Sequence, residues 1–481
     1  MNKKESDIVV VAAGISGLAA AIAAAEKGVK VIIVEKTGST GGQANFGGGL
    51  FGVETRVHRL KEYPLTREEA YRVYMEFNRW NVDARLIKIL IDRSADTMDW
   101  LESMGVEFID ISSHGTGNYY TWHIVKADES ELPGNTLSGN AIVLMKAMTE
   151  RAKSLGVEFL MNTSAVKVLK EGEKVQGILA KNKDEEIQIN SKAVIMATGA
   201  YGSVFQGFQK GTKGDGIHMA KEVGAAVVDI DYQPPKGQGH MGPGMIMAKK
   251  FYSLAFTLSQ PNLMVNLMGE RFMNEEATKT SCFGLNALAR QPEMTAFNIF
   301  DEDTKNHFRD KGFDFGTGFE RIPIAKGANF DYEMEQVLKD GGVDGIYVAE
   351  SIGELAETLG IDEAPLTATI EEYNHACDTG RDILFNKQVR YLRPVRKPRF
   401  YASRQGARNS KWPGIKVNYR LEVIKDDFLS IPGFYAAGIE ISPALYYDVY
   451  PNILPGNTMG FAANSGRIAG ENASEFVKAM A

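Results

Sequence analysis

The start of the chain combines two hydrophobic patterns. Residues 7–12 (DIVVVA) form an apolar run, which is typical of a buried parallel strand. An alanine-rich stretch at 18–27 predicts a helix, and a second apolar run at 29–34 predicts another strand. Strand, helix and strand in this order predict a βαβ unit that opens an α/β domain.

Helical and strand periodicities continue along the next part of the chain. Helices are predicted over residues 67–80, 84–104 and 139–155. Strands are predicted over residues 157–161, 164–170, 174–182 and 186–197. The short connections between these four strands favour a meander.

The loop of the βαβ unit carries a nucleotide-binding pattern. Gly14 allows the backbone to approach a pyrophosphate, and Gly17 allows the helix to pack closely on the strand. Glu35 ends the second strand, about twenty residues further on, where an acid accepts ribose hydroxyls. Ala12 stands where the pattern usually has its first glycine. Alanine is compatible with this turn if its φ is negative, and we expect that conformation.

Two glycine clusters follow soon after Glu35, at residues 38–42 and 47–49. Glycine permits close backbone approach to a ligand. Clusters so near the predicted ribose site indicate a long ligand that passes over the chain, as FAD would.

Five later segments complete the pattern in order. They read AVIMATG (193–199), GDGI…GA (214–225), GERFMNE (269–275), GFYAAG (433–438) and GRIAG (466–470). With the opening motif, these segments resemble the flavoprotein family of soluble fumarate reductases, succinate dehydrogenase flavoprotein subunits and 3-ketosteroid dehydrogenases. The resemblance runs the length of the chain.

The family resemblance implies an α/β fold, a Rossmann-like FAD-binding domain with an inserted α+β cap domain. Residues 1–235 and 400–481 would form the FAD-binding domain, and residues 236–399 the cap. A Pro-Pro pair ending at Pro235 and an Arg/Pro cluster ending at Pro398 mark the two crossings.

The resemblance also implies which residues contact FAD, and that a helix begins around Thr458 with its N–H groups toward the flavin's pyrimidine end. The predicted cofactor residues are Ala13, Gly14, Ile15, Ser16, Gly17, Glu35, Lys36, Thr40, Gly41, Gly42, Gln43, Gly47, Gly48, Gly49, Val166, Ala197, Thr198, Gly199, Gly438, Asn457, Thr458 and Met459. Family members with covalent FAD use a histidine after the double glycine. Residues 37–56 contain none, and His58 is the nearest, so we expect non-covalent FAD.

The sequence has no second complete nucleotide-binding motif that would hold an electron donor. Residues 214–216 (GDG) follow a loop and lack a third glycine. The family's haem and FMN modules have no counterpart either. Electrons are expected from a separate donor or from the substrate itself.

Lys279 is the candidate proton donor. In the fumarate reductases an arginine eight positions after the arginine of GxRFxNE has this role, and the eighth residue after Arg271 is Lys279. A buried lysine lowers its pKa readily and can serve as an acid. The alternative is a solvated lysine at a helix end.

The carboxylate clamp of the fumarate reductases is missing. No histidine follows His375, and Ile453 stands where the family has an arginine. The family's Thr-Glu pair is replaced by Leu254 and Ala255. Fumarate and succinate are therefore disfavoured as substrates.

Other side chains are candidates for substrate contact. Tyr446 and Tyr450 precede a Gly-x-Thr-x-Gly run, as a ketone-polarising tyrosine does in the ketosteroid dehydrogenases. His240 lies near the cap entry, and Arg404 and Arg408 are possible anchors for an acidic substrate or surface arginines on a connecting strand. An aromatic cluster at 119–123 (YYTWH) either lines a pocket or belongs to the core.

Composition narrows the function further. The net charge of −7 provides no electrostatic footprint for nucleic acid. Two cysteines exclude a disulfide framework, an iron–sulfur set and a CxxCH haem site. No targeting or membrane-spanning run is seen, so a cytoplasmic protein is expected.

Together these patterns predict an FAD-dependent oxidoreductase acting on a C=C or C–C bond conjugated to a carbonyl or carboxyl. Alternatives are dehydrogenation of a cyclic ketone such as a steroid, electron relay without an organic substrate, and a hydratase or isomerase that uses FAD structurally.

Overall fold

The structure is a computed structural model. It describes residues 2–113, 119–126, 141–199, 214–228, 254, 257, 260–279, 281–314, 329–339, 345–406, 413–447 and 451–480, with only the backbone at 279, 281 and 282. His240, Arg408 and Tyr450 lie outside the described residues, and so does the side chain of Lys279.

The described residues form two compact units. Those up to residue 228 and from 413 onward form the first unit, and those from 254 to 406 form the second. The helices are α1 (Ile15–Glu26), α2 (Arg56–Leu60), α3 (Arg67–Phe77), α4 (Ala84–Asp92), α5 (Ser94–Glu102), α6 (Ala141–Ser154), α7 (Asp215–Glu222), α8 (Ser281–Leu288), α9 (Glu302–Lys311), α10 (Phe330–Lys339), α11 (Ile352–Leu359), α12 (Glu363–Thr379), α13 (Ser442–Leu445) and α14 (Asn457–Ala479).

The strands build four sheets. They are β1 (Asn2–Val11), β2 (Val31–Val34), β3 (Gly49–Phe51), β4 (Phe108–Ser112), β5 (Trp122–Val125), β6 (Glu158–Leu160), β7 (Ser164–Glu171), β8 (Lys174–Lys181), β9 (Glu186–Met196), β10 (Val227–Val228), β11 (Leu263–Asn266), β12 (Thr295–Asp301), β13 (Ile346–Ala349), β14 (Phe400–Gly406), β15 (Gly414–Ile415), β16 (Glu422–Ile424) and β17 (Ser430–Ala436).

The central sheet of the first unit has the order β16-β17-β9-β1-β2-β6, and β7 and β8 join it at β9. Strands β17, β9, β1, β2 and β6 pair in parallel. Their carboxyl ends meet at one edge, where ligands bind in doubly wound folds. The same unit contains the sheet β3-β5-β4 and the pair β10-β15.

The close packing of α1 against α14 explains the GRIAG motif. A Cβ on Gly466 would lie 2.2 Å from the Ser16 carbonyl oxygen, and one on Gly470 would lie 2.2 Å from the Ala20 carbonyl oxygen. Two glycines on successive turns therefore let the helix backbones touch. This contact fixes the start of α1, where the nucleotide loop ends.

The second unit is built on the antiparallel sheet β11-β12-β14-β13. Strand β14 pairs with β12 from Phe400 to Gly406, so the chain remains in this unit beyond residue 399, the predicted end of the cap. Leu254 is fully buried in this unit's core with Phe300 and Phe330.

The predicted helix at 84–104 is two helices, α4 and α5, which meet at Arg93. The Arg93 guanidinium forms a bidentate ion pair with Glu471 of α14, at 2.7 and 2.9 Å. This tertiary contact holds Arg93 at the junction, and hydrophobic periodicity does not reveal it.

Candidate FAD site and catalytic residues

The turn between β1 and α1 places backbone N–H groups at the carboxyl edge of the central sheet. Gly14 is the N-cap residue of α1, and Ile15, Ser16 and Gly17 form the buried first turn. The first N–H groups of an α-helix have no intrahelical partner, and this end of the helix dipole is positive. The turn therefore suits a phosphate group.

The Glu35 carboxylate lies beside this turn. It is buried and accepts hydrogen bonds from Ala13 N, Thr37 N and Thr37 Oγ1, each at 2.8 Å. These three bonds fix the acid next to the loop, at the place predicted for a ribose.

Ala12 departs from the predicted conformation. Its φ is +84°, in the left-handed region, so the expectation of a negative φ is wrong. The turn requires this conformation whatever residue occupies the position, and a Cβ on Gly17 would lie 2.0 Å from the Ala12 carbonyl oxygen. An alanine here is strained by about 1–2 kcal/mol, since its Cβ crowds the backbone.

We expect Ala12→Gly to raise the free energy of unfolding by about 0.5–1 kcal/mol. Relief of the left-handed strain exceeds the entropy that glycine costs, about 0.5–1 kcal/mol. Denaturant unfolding of the apoprotein measures this change in the free energy of unfolding. Ala13→Gly is the matched control and should destabilise, because Ala13 is fully buried and is not among the residues with positive φ. A less stable Ala12→Gly variant would contradict the strain.

The backbone at Gly14, Gly42 and Gly199 borders an open space, which we call the cradle. A Cβ on Gly14 or Gly199 would meet no atom within 4 Å, and one on Gly42 would meet only the Gly14 Cα, at 3.9 Å. Gly41 joins the two loops, because Gly14 and Gly41 form a parallel bridge and Gly41 N donates to Ala13 O at 2.8 Å. The space and the donors fit the ADP half of FAD.

Other predicted cofactor residues lie in the same unit. Lys36 pairs with Asp215 at the start of α7, at 3.0 Å. Thr40 shares a 2.8 Å hydrogen bond with Thr149, and Gln43 lies in the 3₁₀ helix Gly42–Phe46. Ala197 N donates to Val11 O at 3.0 Å, which places residues 197–199 beside the glycine turn. Val166 lies at a register shift on β7 with its side chain 43% exposed.

The second glycine cluster packs on the start of α14. A Cβ on Gly47 would lie 2.0 Å from Met459 Sδ, and one on Gly49 would lie 2.0 Å from the His123 carbonyl oxygen. Gly48 O accepts a hydrogen bond from Val125 N at 3.2 Å. Gly47 and Gly49 are therefore needed for protein packing.

Helix α14 begins at Asn457, one residue before the predicted Thr458, and its N-cap Gly456 has no side-chain capping bond. Asn457 Nδ2 donates to Pro451 O and Leu454 O, both at 2.7 Å. Its Oδ1 is buried without a hydrogen-bond partner among the described residues. An unpaired buried acceptor beside the N-terminus of a helix fits a ligand with both donor and acceptor edges, such as a flavin.

Glu440 is a site residue that the sequence reading missed. Its carboxylate is fully buried and accepts hydrogen bonds from Thr198 N at 2.6 Å and Thr198 Oγ1 at 2.7 Å. Burial raises the pKa of Glu440 to about 7, against the lowering effect of the Thr198 bonds, and the nearby Asp215 also raises it. The only signal in the sequence is an acid two residues after GFYAAG.

Arg271 of the GxRFxNE motif is the centre of a buried ion cluster. Its guanidinium forms bidentate pairs with Glu275, at 2.9 Å, and with Asp382, at 3.0 and 3.1 Å. Lys387 Nζ lies 3.2 Å from Glu275 and donates to Tyr373 Oη at 2.8 Å. All four charged side chains are almost completely buried. Arg271 thus joins the motif to a loop 111 residues further along the chain.

The described catalytic candidates lie in different surroundings. Tyr446 is buried in the core of the first unit. Arg404 is half-buried on β14, and its Nε is buried without a hydrogen-bond partner among the described residues. His123 is buried and bonded to Thr55 Oγ1 at 2.6 Å, and burial lowers its pKa to about 3, so it is a neutral structural residue. Tyr120 is 46% exposed.

The doubly wound sheet, the phosphate-binding turn, the buried acid and the open cradle define a nucleotide-dependent flavoprotein fold. The chain belongs to the family described as FAD binding domain, whose model matches residues 7–444. It is an FAD-dependent oxidoreductase. Among the described residues, no helix is long and apolar enough to cross a membrane.

Comparison with known proteins is consistent with this class. The chain is 30% identical to the vinyl phenol reductase of Lactiplantibacillus plantarum, over 98% of this chain and 96% of that protein. It is 28% identical to the NADH:fumarate oxidoreductase of Klebsiella pneumoniae, over 98% of this chain but 48% of that protein. A 3-ketosteroid-Δ4-(5α)-dehydrogenase structure from Rhodococcus jostii matches with a TM-score of 0.70 and 22% identity, covering 98% and 97% of the two chains.

Proposed function

We propose that this protein reduces a C=C bond conjugated to a carbonyl, a carboxyl or an aromatic ring, and that it does not act on fumarate. One observation carries the proposal. Ile453, at the position of the family's clamping arginine, packs its apolar side chain against the core, and its carbonyl oxygen accepts a hydrogen bond from Tyr119 N at 3.1 Å. Ile453 itself offers a second carboxylate no positive charge.

Tyr119, which bonds to Ile453, is followed in the chain by a second tyrosine, Tyr120. Tyr120 and Tyr63 lie edge to face with ring centroids 5.6 Å apart, and Tyr120 N donates to Tyr63 Oη at 3.2 Å. Aromatic faces bind apolar and aromatic groups well. The relative that acts on vinyl phenols supports a substrate with an apolar or aromatic substituent.

Residue roles follow from this proposal. Bound FAD supplies the hydride. Lys279 delivers a proton to the neighbouring carbon, and Tyr446 or Tyr450 is the next candidate for that task. Arg404 anchors an acidic or carbonyl group, because its buried Nε requires an acceptor. Arg408 and His240 stay as predicted contacts.

We further propose that FAD is held non-covalently and that a separate donor reduces it in the cytoplasm. His58, the nearest histidine to the glycine cluster, is buried, and both ring nitrogens are engaged. Nδ1 accepts from Glu54 N at 3.0 Å, and Nε2 bonds to Tyr120 O at 2.8 Å. A ring nitrogen that is engaged in such a hydrogen bond is not available for covalent attachment to FAD.

Fumarate should reoxidise the photoreduced enzyme slowly or not at all, whereas enoates or vinyl arenes with one apolar substituent should do so rapidly. The measurement is anaerobic return of the oxidised flavin absorbance after each substrate is added. Crotonate and 4-vinylphenol are matched test compounds, and succinate is the blank. Fumarate turnover on the order of 10 per second would disprove the proposed selectivity.

A further inference from the structure

The Glu440 carboxyl is enclosed by groups of the nucleotide site. A Cβ on Gly216 would lie 1.7 Å from Glu440 Oε1, so the carboxyl fills the space left by that glycine. Thr198 donates both its main-chain N–H and its hydroxyl to this carboxylate. Thr198 lies two residues after the end of β9, and the neighbouring Gly199 has open space next to it. Glu440 therefore supports the strand end that borders the cradle.

The same short 3₁₀ helix, Gly438–Ile441, also reaches the start of α1. A Cβ on Gly438 would lie 2.6 Å from Ser16 Oγ, and Gly438 N donates to Ser465 Oγ at 3.0 Å. The helix thus joins the phosphate-binding turn to residues 197–199. A change at Glu440 acts on both sides of the cradle.

The charges near Glu440 disfavour its ionised form. Among the described residues, Asp215 at the start of α7 is a like charge that raises the pKa of Glu440, and Lys36 pairs with Asp215. Next to Gly438, the first residue of this helix, lie Ser16, Ala462 and Ser465, which carry no charge. The elements β15 (Gly414–Ile415) and α13 (Ser442–Leu445), which also pack on the helix, contain no charged residue. A ligand with a pyrophosphate at the α1 turn would add further negative charge nearby.

We propose that Glu440 is a positioning residue of the FAD site whose protonated form binds the cofactor, so that FAD binding takes up a proton and weakens as the pH rises above neutrality. The neutral carboxyl still accepts from Thr198 N, and it can donate its proton to Thr198 Oγ1. Burial raises the pKa of Glu440 to about 7 already in the free protein.

The direction of the pH dependence follows from the linkage between proton binding and FAD binding. A bound pyrophosphate raises the carboxyl's pKa above its value in the free protein, so the complex binds more protons than the free protein over that interval. FAD affinity is then full below the lower pKa and falls as the pH rises through the interval. The FAD dissociation constant should increase up to about tenfold for each unit of pKa difference.

The test measures FAD binding to the apoprotein by fluorescence quenching between about pH 6 and about pH 8.5, a range in which free FAD has no titrating group. Wild-type affinity should fall across this range. Glu440→Gln mimics the neutral carboxyl and should bind FAD with a flat pH profile. Glu158→Gln, a surface carboxylate of the same unit paired with Lys4, is the control and should keep the wild-type profile.

Two further variants test the same proposal if Glu440→Gln folds poorly. Asp215→Asn removes the like charge, so the weakening should begin at lower pH. Thr198→Val removes one hydrogen bond to the carboxylate, so the weakening should begin at higher pH. A flat wild-type profile, a profile of opposite slope, or an unchanged profile in Glu440→Gln overturns the proposal. The measurement does not use turnover, so it is independent of the proposed substrate.

Discussion

Replacing Arg271 by methionine should lower the free energy of unfolding of the second unit by about 3–5 kcal/mol, since removing one partner of a buried ion cluster leaves uncompensated charge. Glu275 and Asp382 each lose a bidentate partner. The Lys387 ammonium pairs with Glu275, whereas Asp382 keeps main-chain N–H donors such as that of Lys387. The guanidinium also stacks on Tyr373 and Phe385, at 4.9 and 5.2 Å. Denaturant-dependent hydrogen exchange of peptides from residues 263–301 would measure the loss.

Arg309→Met is the matched control for this experiment. Arg309 lies in the same unit, is exposed and pairs with its neighbour Asp310. Its replacement should change stability by no more than about 0.5 kcal/mol. The loss of stability in Arg271→Lys should lie between those of Arg309→Met and Arg271→Met, because lysine keeps the charge but not the two bidentate contacts. A loss below about 1 kcal/mol in Arg271→Met would mean that the two acids find other partners.

Lys279→Met should reduce steady-state turnover by about 10²–10⁴-fold while leaving FAD content near normal, because loss of general acid catalysis has this magnitude. Lys279 ends the 3₁₀ helix Glu275–Lys279, whose first residue is held by Arg271. The buried cluster therefore fixes the segment that carries the proposed acid. Stopped-flow reoxidation of the reduced enzyme by its best substrate measures the effect directly.

Two variants separate a catalytic role from a structural one. Lys279→Arg should retain part of the activity, since arginine is the residue of the fumarate reductases at this position. Lys339→Met removes an exposed lysine of α10 that pairs with Glu335, and it should leave turnover unchanged. Near-normal turnover in Lys279→Met would assign proton delivery elsewhere, with Tyr446 and Tyr450 as the next candidates.

Local sequence patterns were sufficient to predict the nucleotide-binding part of the first unit. Strand, glycine turn, helix and acid lie within one short stretch, so periodicity and spacing alone predict their arrangement. The turn also shows the limit of such reasoning. Ala12 has a positive φ because the turn geometry demands it, whereas its residue type favours the opposite sign.

The partners of buried charges could not be predicted from the sequence. Arg271 and Glu275 share a motif, but Asp382 lies 111 residues from Arg271, and Glu440 lies 242 residues from Thr198. A long-range partner is selected by which elements the fold brings together, and nothing in the local pattern around either residue records that choice.

The sequence by itself determined the family, the cofactor and the order of the main elements, because these depend on short-range spacing and hydrophobic period. Only the tertiary structure decided that GxRFxNE is the anchor of a buried ion cluster, that α4 and α5 separate at Arg93, and that Glu440 supports the cradle. In each case a charged or polar side chain that is partly or fully buried needs a partner, and folding supplies that partner from a distant part of the chain.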